Sequence, residues 1–174
     1  MQTDSNLKPA TGLFISFLVC FSAAAIGSLT TTPQIPNWYA DLAKPIWTPP
    51  NWLFGPVWTI LFSLMAIAAW LVWRKHGMKK ARRALVWFGI QLVLNSLWSV
   101  LFFGWNNPGA AAAEILFLWL TILLTRVAFS KKSKTAGLLL VPYFLWVSFA
   151  MVLNLSLIHI SEPTRLLSIA VGGL

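Results

Sequence analysis

Three tryptophans, Trp58, Trp98 and Trp146, and one amide, Asn95, stand inside long uncharged stretches of this 174-residue chain. An indole offers a large flat face for stacking and an N–H that donates to an oxygen, so several of them on neighbouring elements suit the recognition of planar molecules. An amide in an apolar span costs free energy unless it is paired, so Asn95 is expected to bond another helix or a bound molecule, with Gln91 and Asn154 as candidates for the same network. Glu114 lies about one turn inside an apolar run, a position that reaches water, and makes it a proton-pathway candidate without a second carboxylate close in sequence for acid–base work. Other chemistries lack their parts: the chain has two His and four acidic residues, no metal-ligand spacing, no phosphate-binding glycine loop and no Ser/His/Asp set. Cys20 is the single cysteine and sits in the first apolar run, which makes it a small core residue with no intramolecular disulfide partner.

The elements that position these residues are dictated by hydropathy. The chain is 58% hydrophobic and 10% charged, with a mean hydropathy of +0.74, far outside a soluble domain of this length. Uncharged runs cover 9–40, 45–73, 84–113 and 135–161, and a fifth apolar run covers 115–125. With the fifth extended N-terminally by the alanines before Glu114, each supplies the roughly 20 residues that a helix needs to cross about 30 Å of hydrocarbon. No ten-residue alternation suggests a barrel, and backbone amides in lipid must pair within their own segment, so the expected fold is all-α: a bundle of five transmembrane helices at about 12–29, 51–73, 84–103, 109–129 and 135–157. The first is expected to be a retained helix and not a cleaved leader, because Met1–Ala10 carries Asp4 and one Lys. At 1.5 Å per residue, Trp58 lies about 10 Å, Trp98 about 9 Å and Asn95 about 13 Å below one end of the bundle, and Trp146 falls near the middle.

Charge sets the orientation. Arg74, Lys75, Lys79, Lys80, Arg82 and Arg83 fill one expected loop, and Arg126, Lys131, Lys132 and Lys134 fill another. The connections on the opposite side carry only Asp41 and Lys44. This bias accounts for the net charge of +9 without a nucleic-acid partner and places the N-terminus in the cytoplasm and the C-terminus outside. Trp73 and Trp87 at the basic edge, and Trp47, Trp52 and Trp105 at the other, suit interfacial belts. Between the first two helices, Pro33, Pro36, Pro45, Pro49 and Pro50 forbid a continuous helix over 33–50, and the rings among them suggest a lid. Pro142 should bend the last helix.

The stretches "WYADLAKPIWTPPNWLFGPVW" (38–58), "QLVLNSLWSVLFFG" (91–104) and "VPYFLWVSFAMVLNLS" (141–156) closely resemble the TspO/MBR family, which comprises translocator proteins and bacterial tryptophan-rich sensory proteins. The likeness covers about residues 12–156. It implies a five-helix membrane bundle, often paired as a homodimer, in a bacterial membrane. It also implies a receptor, translocator or sensor for porphyrins such as protoporphyrin IX and for flat hydrophobic ligands such as sterols, with no obligatory cofactor and no metal. The family's pocket tryptophans fall on Trp58 and Trp146, with Trp38 reaching in from the loop. Phe54, Asn95, Trp98, Tyr143, Ala150 and Leu153 match further lining positions. Two alternatives accompany this reading: light- and oxygen-dependent porphyrin breakdown, with Trp58 and Trp146 as the implicated residues, and a regulatory interaction protein without ligand chemistry. The tail from residue 157 departs from the family pattern and is expected to be non-native, with Glu162, Pro163 and Arg165 ending the helix.

The charge bias makes an accessibility prediction. A membrane-impermeant maleimide should label Trp105→Cys in intact cells and Lys131→Cys only after permeabilisation; the reverse pattern overturns the orientation.

Overall fold

The computed structural model describes residues 9–171 of the chain. Among these there is no strand, and four helices are long and apolar enough to cross a membrane. Helix α1 (Pro9–Thr31) runs into a 3-10 turn at Thr32–Gln34, and the short α2 (Trp38–Asp41) follows within the proline-rich loop. Helix α3 (Asn51–Ser99) continues into a π-helical turn at Val100–Gly104. Helices α4 (Pro108–Lys132), α5 (Lys134–Leu139) and α6 (Val141–Val171) complete the chain.

The expected loop over 74–83 is instead helical on both sides of a single residue, Gly77, whose backbone is non-helical at φ 69° and ψ 168°. Lys and Arg are good helix formers, so the basic run has no local reason to unwind. That φ/ψ combination is open to glycine alone, so the interruption is concentrated there. Two arms result, 51–76 and 78–99, in place of the second and third separate spans expected from the sequence. They lie side by side, since Gln91 Nε2 on one donates to Met65 Sδ on the other at 3.7 Å. His76 next to the break is hydrogen-bonded at 2.9 Å to the Lys132 carbonyl, which ties the hinge to the end of α4.

Core packing fills the half of the bundle towards this basic end. Met65, Ala66, Ala68 and Val72 from the first arm meet Ala81 from the second, Ile122 and Phe129 from α4, and Leu140 near the α5/α6 junction. Small residues permit the close approach: an added Cβ on Gly12 would collide with the Trp73 ring, and one on Gly137 would collide with Ser130. The Trp70 indole N–H donates to the Pro9 carbonyl at 2.8 Å, and Arg74 stacks over the Trp70 ring at 4.9 Å.

At the opposite end, Asn106 takes a left-handed φ of 49°, and Asn107 caps α4 by accepting from the Ala110 N–H at 3.0 Å. The last helix breaks at Leu140, just ahead of Pro142, which lacks the N–H that would continue the ladder. Its end does not follow expectation: α6 continues to Val171, so Pro163 does not terminate it. A proline removes one hydrogen bond, which a long helix can absorb by bending.

Because an added Cβ at Gly77 meets nothing within 4 Å, the residue is required for its conformation and not for space. Gly77→Ala should destabilise the bundle by about 1–3 kcal/mol. Gly89→Ala, also in open space but inside the helix, should be neutral or slightly stabilising. Unfolding in detergent measures both.

Candidate ligand-binding site

Away from the basic end the helices separate unevenly. Helix α1 leans on the second arm of α3: Ser96 Oγ donates to the Ala23 carbonyl at 3.1 Å, a Cβ on Gly27 would sit 3.1 Å from Ser99 Oγ, and Gly104 meets Thr30. The first arm instead leans on α6, through Phe54 against Trp146 (6.0 Å between ring centroids) and Trp58 against Tyr143 (6.3 Å). Between the two pairs remains a cavity of about 450 Å³, within the size range of small-molecule sites.

The proline-rich loop closes over it. Tyr39 is buried, with its ring against Phe102 and Phe103 at 6.4 and 5.6 Å. Lys44 folds back over the Tyr39 ring at 4.6 Å and donates to the carbonyls of Tyr39 and Ala40. Trp47 packs edge-on against Phe149 at 5.8 Å. Burial pushes the Tyr39 phenol above its ordinary range, which keeps this contact uncharged at neutral pH.

Of the residues singled out in the sequence, Phe54, Trp58, Asn95, Trp98, Trp146, Ala150 and Leu153 line the cavity. Trp38 and Tyr143 do not. Trp38 packs edge-on against Phe102 at 5.5 Å and so supports the wall from behind. Tyr143 is fully buried behind Trp58, where its hydroxyl accepts from Asn95 Nδ2 at 3.1 Å. Asn95 is therefore paired across the bundle, as its cost in an apolar span requires. Gln91 does not join this pair; it turns to Met65. Asn154 serves a different end, donating to the Pro108 carbonyl at 3.1 Å and accepting from the Ala112 N–H at 3.2 Å, which braces the first turn of α4 against α6.

Glu114 departs from its expected place. It is only 7% exposed, and both carboxylate oxygens are buried without a protein partner. Depth along a helix does not report which face a residue occupies, and Glu114 lies on the inward face of α4 together with Ala111 and Leu118. It is not among the cavity-lining residues. Cys20 is buried in the core cluster, as expected of a lone small residue. Trp98 lines the cavity, while its Nε1 is buried and has no acceptor in the protein.

Sequence reasoning missed Tyr39, Phe62, Phe102 and Phe103 as lining residues. The last two depend on the π turn, closed by a Trp105 N–H to Val100 carbonyl bond at 2.8 Å. This wider turn lets two consecutive phenylalanines both be buried, 4.8 Å apart. Only the adjacency of two aromatics at the end of a span hinted at it.

Comparison with known proteins agrees with this architecture. The profile described as the TspO/MBR family matches residues 16–160. The chain is 45% identical over 148 residues to the tryptophan-rich protein TspO of Chlorobaculum tepidum, covering 82% of this chain and 91% of that protein. It is 37% identical over 142 residues to the tryptophan-rich sensory protein of Cereibacter sphaeroides, covering 82% and 87%. It is 38% identical over 150 residues to the human translocator protein, covering 84% and 86%.

The Asn95–Tyr143 pair generates a prediction. Tyr143→Phe should cost about 1 kcal/mol of stability, and a double-mutant cycle with Asn95→Ala should show the two coupled by a similar amount. Additive effects in that cycle would mean that the bond contributes nothing.

Proposed function

That this chain belongs to the TspO/MBR family is the premise from which we propose that it is a membrane receptor or translocator for flat hydrophobic molecules, with protoporphyrin-type tetrapyrroles as the leading class and sterols as a second. In this reading the two arms of α3 count as separate traverses, which makes five with α1, α4 and the α5/α6 segment, and the basic end faces the cytoplasm.

One observation carries the proposal: the rings of Trp58, Trp98 and Trp146 all border one cavity of about 450 Å³, closed over by an aromatic loop. Each indole presents either a face or an edge to whatever enters, and stacked or edge-to-face pairs are worth about 0.5–1.5 kcal/mol apiece beyond the area they bury. Asn154 and Asn95 line the same cavity, but their amides are already engaged. A planar, mostly apolar ligand fits this combination. The names of the relatives, sensory and translocator, accord with such binding in either role.

The titration that tests this follows tryptophan fluorescence of the purified protein as protoporphyrin IX is added. Saturable quenching is expected, and Trp58→Phe/Trp146→Phe should weaken the affinity about tenfold. Unsaturable quenching, or an unchanged affinity in the double variant, refutes the proposal. Under illumination, porphyrin absorbance that bleaches no faster than with the double variant would leave binding as the function and remove breakdown.

A further inference from the structure

The cavity's exposed lining residues are not spread around it. Phe21, Ala25, Ser28 and Thr32 on α1 with its following turn, and Asn51, Gly55 and Thr59 on the first arm of α3, are exposed. Every lining residue from the second arm and from α6 is buried or half-buried, including Asn95, Phe102, Leu153 and Leu157. If solvent reached the walls only through the end capped by the loop, exposure would fall on all four walls alike. Its restriction to two neighbouring elements means that the opening lies between them.

The depth of that opening identifies what it faces. Thr59 is eight residues into α3, about 12 Å below its start, and Phe21 is ten residues before the end of α1, about 15 Å down, well within the hydrocarbon. Below this level the two elements close: the rings of Phe21 and Phe62 meet at 6.4 Å, Gly12 abuts Trp73, and Trp70 bonds Pro9. Above it, α1 is held to the second arm by the Ala23, Gly27 and Thr30 contacts, while the first arm is held to α6. The edges of the gap are small residues, Ala25 and Ser28 against Gly55 and Thr59. A side chain added at Gly55 would meet nothing within 4 Å.

We propose that this slot is a side door: a flat ligand already dissolved in the bilayer leaflet on the loop side passes edge-on between α1 and the first arm of α3 into the cavity, with the loop serving as a fixed cap. The inference rests on the binding reading above and adds the source of the ligand, which is the lipid phase and not the aqueous side. Neighbouring surface is apolar and exposed on both flanks, with Ile26 and Leu29 on α1 and Ile60 on the arm, so the entrance is continuous with lipid. The loop is bound down by Tyr39 against Phe103 and Trp47 against Phe149 and would have to break those contacts to admit anything from above.

The test measures rates in phosphatidylcholine vesicles loaded with protoporphyrin IX, by stopped-flow quenching of tryptophan fluorescence. Filling the slot with Ala25→Phe/Thr59→Phe should slow both association and release by about tenfold, because a gate slows passage in both directions. Damage to the cavity would instead speed release. A second form avoids bulky substitutions: Ala25→Cys/Thr59→Cys in a Cys20→Ser background, bridged by a reducible bis-thiol linker, should exchange ligand slowly until reductant opens the bridge. Unchanged association in both variants, with saturable quenching retained, overturns the side door and leaves the binding reading intact. Absence of saturable quenching in the unaltered protein overturns the binding reading, and the side door with it.

Discussion

The close seam between α1 and the second arm of α3 is the contact on which the loop-side half of the molecule depends. Ala23, Gly27 and Thr30 can approach Ser96, Ser99 and Gly104 because none carries a bulky side chain at the contact, and small residues are what let membrane helices pack without a hydrophobic drive between them. With α1 committed to that side, the first arm of α3 has only α6 to lean on. The cavity is the space left by two pairs of helices that converge at the basic end and diverge towards the loop. Its existence follows from helix geometry, and its character follows from which rings the sequence places along the divergence.

Those rings divide by depth. Trp52 and Trp105 are 72% and 69% exposed, and their amphipathic rings suit the membrane–water boundary. Trp70 and Trp73 lock α1 to the first arm at the basic end. Trp119 is a fastener between α4 and α6, its indole N–H donating to Ser148 Oγ at 2.8 Å. Trp58, Trp98 and Trp146 are half-buried and turned to the cavity. Trp98 also stacks on Phe102 at 5.0 Å, so the ring that keeps a free N–H is held rigidly by its neighbour.

Much of this was legible in the sequence because the bilayer narrows the choices. Apolar run lengths located the long apolar helices, though two of the five expected spans form the single α3, prolines delimited the loop, and the depth of Trp58, Trp98, Trp146 and Asn95 placed them in the same half of the bundle. Depth is a one-dimensional coordinate, however, and the misses share that origin. Glu114 was placed near water by its position along α4 but faces inward. Gln91 is one turn from Asn95 yet turns to Met65. Tyr143 is at cavity level but stands behind Trp58. In an apolar helix every face is hydrophobic, so the periodicity that tells inside from outside in a soluble helix is missing. The Gly77 break and the π turn at Val100–Gly104 were hidden for another reason: each depends on how a helix end meets its neighbours and not on local propensity.

A ligand that arrives from lipid changes which interactions can hold it. Moving an apolar molecule from acyl chains into an apolar cavity removes no surface from water, so the term of about 25 cal/mol per Å² that dominates binding from solution is largely absent. Affinity must then come from contacts that lipid makes poorly: flat ring against flat ring, and a hydrogen bond offered where acyl chains offer none. A wall built from leucine and valine would be nearly indistinguishable from the bilayer. Indole and phenyl rings would supply the flat contacts that acyl chains make poorly. On the proposed reading, the density of tryptophan in this chain, eleven in 174 residues, is in part the composition that would let a site inside a membrane compete with the membrane.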